Sequence, residues 1–195
     1  MRELHIITGS NGAGKSTVGP DYLPPQIQQQ CTVFDGDKLF MNKQRELWRE
    51  GITAIKEAKK LAIDFVRETF DKLLDEALAG QSDFVYEGHF TNEATWDVPR
   101  RFKAAGFSIH MIYFGLATTN LSALRVVDRT KEGGHYVNPA TVSANFYGNL
   151  QQLNKHYEMF DTLRLVDTSG SEHKVLAAFA NGDVESSVAF SELPE

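Results

Sequence analysis

The sequence has a single cysteine and no long apolar run, and each shortage excludes a class of protein. Cys31 stands alone among 195 residues, so no internal disulfide can form and the chain fits a reducing compartment. The longest purely apolar runs, such as Val175–Ala180, fall far below the ~20 residues that a membrane-spanning helix needs. We therefore predict a cytoplasmic protein with no membrane partner.

Positive charge is also scarce. The chain carries 20 lysines and arginines against 26 acids, which gives a net charge of -6. This balance argues against a nucleic-acid backbone as the main partner, because such proteins concentrate positive charge on one surface. The hydrophobic fraction of 42% and the length are those of an ordinary globular domain, so we predict one domain over residues 1–195.

Short β-branched or aromatic runs alternate with stretches of helical periodicity. The predicted strands are 4–8, 31–34, 84–86, 108–114 and 163–166, and the predicted helices are 52–79, 93–105, 121–129 and 139–157. Residues 22–30, which hold two prolines and four glutamines, are predicted to be mostly connection, and Gly80 is predicted to stop the long helix. An Asn-Gly pair between two apolar runs predicts a C-terminal β-hairpin over 174–190. The alternation indicates a mostly parallel sheet with helices on both faces.

A glycine-rich loop follows the first predicted strand. Gly9–Ser16 matches the pattern G-x-x-x-x-G-K-[ST] in full, and a helix is predicted to begin near Lys15. In such a P-loop the backbone amides surround the phosphates of ATP, the lysine reaches the β- and γ-phosphates, and the hydroxyl of Ser16 binds Mg²⁺. The predicted ATP-binding residues of this segment are Asn11, Gly12, Ala13, Gly14, Lys15, Ser16 and Thr17. The fold prediction is a three-layer P-loop NTPase of the kinase type.

The remaining motifs favour a small-molecule kinase over other P-loop proteins. GTPases normally carry N-K-x-D to recognise guanine, and both Asn-Lys pairs of this chain lack the aspartate. Residues 84–87 resemble the apolar run with a terminal acid of large ATPases only weakly. Small-molecule kinases place an acid after the second strand and arginines in a lid, and this sequence has both.

Two aspartates follow the second predicted strand. Asp37 is positioned to accept the proton of a substrate hydroxyl, or to orient Mg²⁺ through water, and its structural alternative is the N-cap of the next helix. Asp35 is assigned to the substrate site but is the more structural of the two, because its side chain can turn into the sheet or the loop. The pair is the predicted source of the catalytic base.

Glu87 and His89 follow the third predicted strand. A charged residue at the carboxyl end of a strand, beside Gly88, usually faces the cleft, so Glu87 is predicted to bind a substrate hydroxyl. The alternative role for Glu87 is to cap a helix or to form an ion pair. His89 is assigned to substrate binding as well, with an ordinary hydrogen-bonding role as the alternative.

Arg125 and Arg129 lie four residues apart and therefore on one face of a helix. Mobile cations assist phosphoryl transfer by neutralising the transferring group. Arg129 is predicted to be catalytic and Arg125 to bind ATP, within a lid over residues 125–139 that also offers Lys131 and the substrate-binding His135. The alternative for either arginine is a solvated helix face paired with acidic neighbours.

Together these segments resemble the zeta toxin family of P-loop kinases. The matching pieces are the P-loop with Thr17, Phe34–Asp37, Tyr86–Gly88, and Arg125-x3-Arg129-x3-Gly-Gly-His. The Gly-Gly-His segment resembles the stand-alone, chromosomal branch of the family. The resemblance covers roughly residues 4–167.

The resemblance implies a specific activity. Zeta toxins use ATP and Mg²⁺ to phosphorylate the sugar 3'-hydroxyl of UDP-N-acetylglucosamine, and some pair with an antitoxin protein. By this resemblance Asp37 matches the catalytic base, Glu87 the substrate-binding glutamate and Arg129 a lid arginine. Lys15 and Ser16 keep their P-loop roles.

Two segments depart from the family pattern. Many zeta-like proteins have Glu-Thr-Thr where this chain has Glu87, glycine and histidine. An arginine cluster often opens the helix after Gly-Gly-His, whereas residues 143–147 read Ser-Ala-Asn-Phe-Tyr. One expected lid arginine is therefore missing, and Arg125 or Lys131 is the candidate to replace it.

The sequence thus predicts ATP-dependent phosphoryl transfer to a hydroxyl of a small molecule, with a nucleotide sugar as the first candidate. The alternatives are a kinase of the gluconate, shikimate or antibiotic type, and an ATP-binding switch module with negligible transfer. A nucleic-acid end kinase is disfavoured by the charge. An antitoxin partner follows from the resemblance alone.

Overall fold

A seven-stranded sheet forms the centre of the protein. The computed structural model describes residues 2–131 and 136–189. The strands are β1 (Glu3–Gly9), β2 (Phe34–Asp35), β3 (Phe84–Glu87), β4 (Ser108–Gly115), β5 (Thr162–Asp167), β6 (Lys174–Ala180) and β7 (Asp183–Ser187). Their spatial order is β2-β3-β1-β4-β5-β6-β7. The first five are parallel, and β6 and β7 are antiparallel. The predicted mostly parallel sheet with a C-terminal hairpin is confirmed.

Helices connect the parallel strands. They are α1 (Lys15–Val18), α2 (Pro25–Gln30), α3 (Gly36–Arg49), α4 (Ile55–Gly80), α5 (Asp97–Ala104), α6 (Thr119–Lys131) and α7 (Pro139–His156). Short 3₁₀ turns at Gly19–Tyr22, Glu93–Trp96 and Tyr157–Met159 join them to their neighbours. Within the described ranges, no helix combines the length and apolar character that crossing a membrane requires.

Side chains alternate between two buried layers because successive residues of a strand point to opposite faces. On β1, Leu4 and Ile6 pack in the layer that also holds Trp96, while Ile7 packs in the other with Ile27 of α2. Because β1 is central and covered on both faces, its carboxyl end is held rigidly. That end carries the P-loop.

Two sequence predictions about local structure on the amino-terminal side are wrong. Residues 22–30 include helix α2, because a proline at its first position needs no hydrogen-bonded N–H and the buried Ile27 anchors the turn. The second strand is confined to Phe34–Asp35, where it pairs with Tyr86 and Glu87 of β3. Residues 31–33 are not in strand conformation.

Two helix ends also differ from expectation. Gly80 is still helical, and Gln81 ends α4 in the left-handed conformation with φ of 48°. The predicted helix over 93–105 divides into a 3₁₀ turn and α5. Pro99 lies at the third residue of α5, where a missing N–H breaks no hydrogen bond within the helix. Helix α3 was not predicted, because only Leu47 of its residues is buried.

Candidate active site

The P-loop leaves β1 at Gly9 and closes against β4. Gly9 has φ of 130°, and a Cβ atom there would lie 1.9 Å from the carbonyl oxygen of Phe114. Gly12 and Gly14 also have positive φ, at 73° and 85°. These values favour glycine because side chains with a Cβ rarely adopt them. The amide of Ser10 donates to the same Phe114 oxygen at 3.0 Å, which fixes the loop to the sheet.

Lys15 lies near the end of the P-loop and is buried. Its Nζ donates hydrogen bonds to the carbonyl oxygens of Gly9 at 3.2 Å and Ser10 at 2.9 Å. Burial lowers the pKa of this ammonium group, and the nearby carboxylates of Glu87 and Asp37 act in the opposite direction. The amino group thus lies in a buried site, where the field of a positive charge on a phosphate is stronger than in water.

Ser16 and Glu87 join the P-loop to the end of β3. The Ser16 hydroxyl donates to Glu87 Oε2 at 2.6 Å. Burial raises the pKa of Glu87, while the positive charge of Lys15 and the hydrogen bond from Ser16 lower it. A hydroxyl and a carboxylate are the hard oxygen donors that suit Mg²⁺, so the residues present fit the predicted metal.

The two aspartates after β2 have different surroundings. Asp35 is the N-cap of α3, and its Oδ1 accepts a hydrogen bond from the amide of Lys38 at 2.9 Å. The capping role considered for Asp37 thus belongs to Asp35. Asp37 lies in the first turn of α3 and lines a cavity with Glu87.

Two cavities meet at Glu87. One, of about 190 Å³, lies over the P-loop, and its lining residues are Gly12, Gly14, Lys15, Ser16, Thr17, Glu87, Arg125 and Arg129. The other, of about 490 Å³, lies between β2, β3, α3 and α4. Its lining residues are Phe34, Asp35, Gly36, Asp37, Phe40, Ile63, Val66, Arg67, Phe70, Glu87, Gly88 and His89. Glu87 is the residue that borders both.

The two arginines of α6 differ in what they contact. The guanidinium of Arg125 donates to main-chain oxygens, at 3.4 Å to Gly12 and 2.9 Å to Ser169, and so braces the P-loop. Arg129 lines the P-loop cavity near Lys15. Lys131 is exposed and pairs with Asp128 at 2.9 Å. His135, and the middle of the predicted lid over 125–139, lie outside the described residues.

Two asparagines of α7, which the sequence did not single out as site residues, hold the site together. Asn145 Nδ2 donates to Asn11 Oδ1 of the P-loop at 2.9 Å. Asn149 is buried; its Oδ1 accepts from the amide of Phe90 at 2.6 Å, and its Nδ2 lies 3.2 Å from Nδ1 of His89. The departure of residues 143–147 from the family pattern was the available signal. Where the family often has arginines, this chain has Asn145, which contacts the P-loop.

His89 is enclosed by this network. Its Nε2 lies 3.5 Å from Asn11 Nδ2, so both ring nitrogens contact asparagine amides. Burial holds the pKa of His89 well below its usual range, and the positive charges of Lys15 and Arg129 add to the effect. The ordinary hydrogen-bonding role considered for His89 is therefore present, and the residue also lines the larger cavity.

Hydroxyl groups from other elements support the P-loop backbone. Ser122 of α6 donates to the carbonyl oxygen of Asn11 at 2.6 Å, and Thr168 after β5 donates to that of Ala13 at 2.9 Å. Both hydroxyls belong to buried residues. The loop is thus held from β4, β5, α6 and α7, which leaves its amide groups pre-arranged.

A protein-family model matches most of the chain. The model, described as Zeta toxin, covers residues 2–176. No curated protein sequence matches.

Solved structures share the fold at low sequence identity. The complex AvrRxo1-ORF1:-ORF2 with ATP has a TM-score of 0.73 at 15% identity over 95% of this chain, which spans 60% of that chain's length. The PezAT toxin-antitoxin system of Streptococcus pneumoniae has a TM-score of 0.64 at 18% identity, with 89% of this chain and 71% of that chain covered. A putative kinase from Chloroflexus aurantiacus has a TM-score of 0.53 at 14% identity, covering 73% of each chain.

Proposed function

The chain belongs to the zeta toxin family, and from that premise we propose that it is a kinase that transfers the γ-phosphoryl group of ATP to a hydroxyl of a small molecule. One observation carries the proposal. Glu87 borders both the P-loop cavity and the larger cavity that holds Asp37, so a phosphate donor and an acceptor can meet there. A nucleotide-binding module without transfer activity would not need the second cavity.

The P-loop cavity would bind the triphosphate. The positive-φ glycines would let the loop amides face the phosphates, Lys15 would supply a buried positive charge, and Arg129 would add a second one. Mg²⁺, when bound, neutralises charge on the phosphates, and Ser16 would hold it with Glu87 beside it. Asn11, Ala13 and Thr17 complete the predicted loop contacts.

The acceptor hydroxyl would lie between Asp37 and the γ-phosphate. Its oxygen attacks the γ-phosphorus, the bond from that phosphorus to the β–γ bridging oxygen breaks, and ADP leaves with the electron pair. Asp37 takes the hydroxyl proton, since Asp35 is already engaged in capping α3. Lys15 and Arg129 would stabilise the charge on the transferring group.

The larger cavity suits a nucleotide sugar such as UDP-N-acetylglucosamine. Its volume of about 490 Å³ lies in the range of small-molecule sites. Phe34, Phe40 and Phe70 line this cavity and would offer apolar contact for a base, while Asp37 and Glu87 would accept hydrogen bonds from sugar hydroxyls. An antitoxin protein as partner is proposed from the family alone.

The test is a transfer assay with purified protein, ATP labelled at the γ-phosphate and a panel of acceptors. The panel contains nucleotide sugars, gluconate, shikimate, aminoglycosides and 5'-hydroxyl oligonucleotides, with Asp37→Asn as the matched control. We expect label to move to a nucleotide sugar in the parent and not in the control. Label on another acceptor would correct the substrate class. ATP binding without any labelled product, in the presence of the full panel, would support the switch alternative.

A further inference from the structure

A second cluster of titratable side chains lies at the opposite end of β1 from the P-loop. Glu3 and His5 belong to the amino-terminal half of β1, and the parallel register places His5 opposite His110 of β4. Since side chains two residues apart share a face, all three project from one side of the sheet. Along β1, Glu3 is roughly 20 Å and His5 roughly 13 Å from Gly9, where the P-loop begins, at the rise of a parallel strand.

The three side chains bring metal-binding atoms close together. One such atom from each of Glu3, His5 and His110 lies within 4.8 Å of the other two. Glu3 Oε2 is 2.8 Å from His5 Nε2, and the two imidazole rings are stacked with centroids 4.8 Å apart. Zinc–nitrogen bonds are near 2.0–2.1 Å, which puts tetrahedral ligand atoms about 3.3 Å apart. To share an ion, the Glu3–His5 pair would therefore open by about 0.5 Å and the widest pair would close by at most about 1.5 Å.

His110 has one nitrogen satisfied and one not. Its Nδ1 is 2.8 Å from the Thr162 hydroxyl, whereas its Nε2 is buried and has no hydrogen-bond partner among the described residues. A buried polar atom without a partner costs free energy unless something binds it. A hydrogen bond at one ring nitrogen that leaves the other available is also the usual arrangement of a metal-binding histidine.

From these observations we propose that Glu3, His5 and His110 form a binding site for one divalent transition-metal ion, with Zn²⁺ as the ion that fits best. Two imidazoles and one carboxylate with a remaining open position are a known zinc ligand set. The open position would face a cavity of about 640 Å³ that borders all three residues. This site differs in ligand chemistry from the P-loop, whose oxygen donors suit Mg²⁺.

Charges near the cavity act in both directions. Asp21, which lines the cavity opposite the sheet, favours a cation, and the exposed Arg164 of β5 opposes one. Removing the charge of Arg164 should therefore raise the affinity for the metal, whereas removing a ligand should lower it. Arg164→Gln should tighten metal binding a few-fold, because the charge that it removes is exposed and partly screened.

The experiment titrates chelator-treated protein with Zn²⁺ by calorimetry, without nucleotide, and records the visible spectrum with Co²⁺. We expect one equivalent bound by the parent, and at least a tenfold to hundredfold weaker affinity in His110→Gln, since even removing a group that only orients a metal ligand has about that effect. His156→Gln is the matched control, because His156 also contacts a carboxylate, Glu93 at 3.1 Å, but has no second histidine beside that pair in the described structure.

Equal Zn²⁺ affinity in the parent and a folded His110→Gln would overturn the proposal, as would a parent without saturable binding. In that case the contact between Glu3 and His5 is only a hydrogen bond. Should His110→Gln not fold, the parent's Co²⁺ spectrum decides. Intense bands of a four- or five-coordinate ion support the site, and the weak bands of the six-coordinate aqueous ion contradict it.

Discussion

Lys15 combines a stability cost with a binding role. Because burial lowers the pKa of its ammonium group, keeping that group charged disfavours folding. We predict that Lys15→Met weakens ATP·Mg²⁺ binding about tenfold to a hundredfold, the loss expected for charge-assisted hydrogen bonds of about 1.5–3 kcal/mol, without lowering the melting temperature of the nucleotide-free protein. Calorimetry and thermal unfolding measure the two effects.

The control for this change is Lys72→Met on the exposed face of α4, where Lys72 forms only a 3.7 Å pair with Glu76. It should leave ATP binding unchanged. Parental ATP affinity in Lys15→Met would show that the P-loop does not bind the phosphates.

Asp35 and Asp37 should separate stability from catalysis. Asp35 caps α3, so Asp35→Ala is expected to lower the free energy of unfolding by about 0.5–2 kcal/mol, whereas Asp35→Asn retains the cap. Asp37→Asn should slow phosphoryl transfer by about 10²–10⁴ while ATP binding is retained. Urea unfolding and single-turnover transfer give the two measurements. Near-parental transfer by Asp37→Asn together with a collapse in Asp35→Asn would exchange the two roles.

The raised pKa of Glu87 should increase the stability of the protein in mild acid relative to its stability at neutral pH. Burial raises its pKa, so its contribution to stability is fully present below the unfolded pKa and is lost as the pH rises through the higher folded value. We predict that Glu87→Gln removes this loss. As the pH rises above about 4, the ordinary pKa range of a glutamate, the melting temperature of the variant should increase relative to that of the parent.

Exposed Glu68 on α4 provides the comparison, and Glu68→Gln should leave the pH profile parallel to that of the parent. A Glu87→Gln profile that also runs parallel would mean that Glu87 titrates normally. In the same variant, weaker Mg²⁺-dependent ATP binding would support a place for Glu87 beside the metal.

Among the elements, α7 connects the most distant parts of the site. Asn149 satisfies the buried amide of Phe90 and contacts His89, so Asn149→Ala leaves polar groups without partners. We predict a loss of about 1–3 kcal/mol in the free energy of unfolding, measured in urea. Asn154→Ala, an exposed asparagine of the same helix, should change it by less than about 0.5 kcal/mol. If both variants lost the same free energy of unfolding, the loss would be due to helix propensity and not to the hydrogen bonds of Asn149.

The elements that were predicted from the sequence share one property. The P-loop and the principal strands were predicted because their signals are contiguous: a complete motif, or a short apolar run bounded by glycine. Most of the predicted site residues within the described ranges, such as Lys15, Asp37 and Glu87, line two adjoining cavities, whereas Asn11 and Ala13 line neither. Their catalytic and binding roles stay predictions.

Helix α3 and the α7 asparagines could not be found in the same way. Most of α3 is polar, and its placement depends on the cap at Asp35 and on packing against α4. Asn145 reaches Asn11 across 134 residues of sequence, and an asparagine carries no periodic signal of its own. Contacts of this kind are set by the tertiary fold, so only the structure reveals them.

For the whole molecule, two ligands are expected at opposite ends of one strand. Each should raise the free energy of unfolding by an amount set by its concentration and dissociation constant. Because the P-loop and the Glu3–His5–His110 cluster share no side chain, we predict that ATP·Mg²⁺ and Zn²⁺ stabilise additively within about 0.5 kcal/mol. Thermal unfolding with each ligand and with both measures this. A combined effect well below the sum would mean that the ions compete for one site.

The position of β1 has a consequence for how the protein is made. Leu4 pairs with Phe84 on one side and with Ile109 on the other, although β1 precedes both partner strands in the chain. Its apolar residues must wait until β4 has been synthesised, and such non-local pairing is slow and exposed to aggregation. The P-loop, which is closed by Phe114, can form only after that wait. Nascent chains halted before β4 should therefore fail to bind ATP and should depend on chaperones that shield β1.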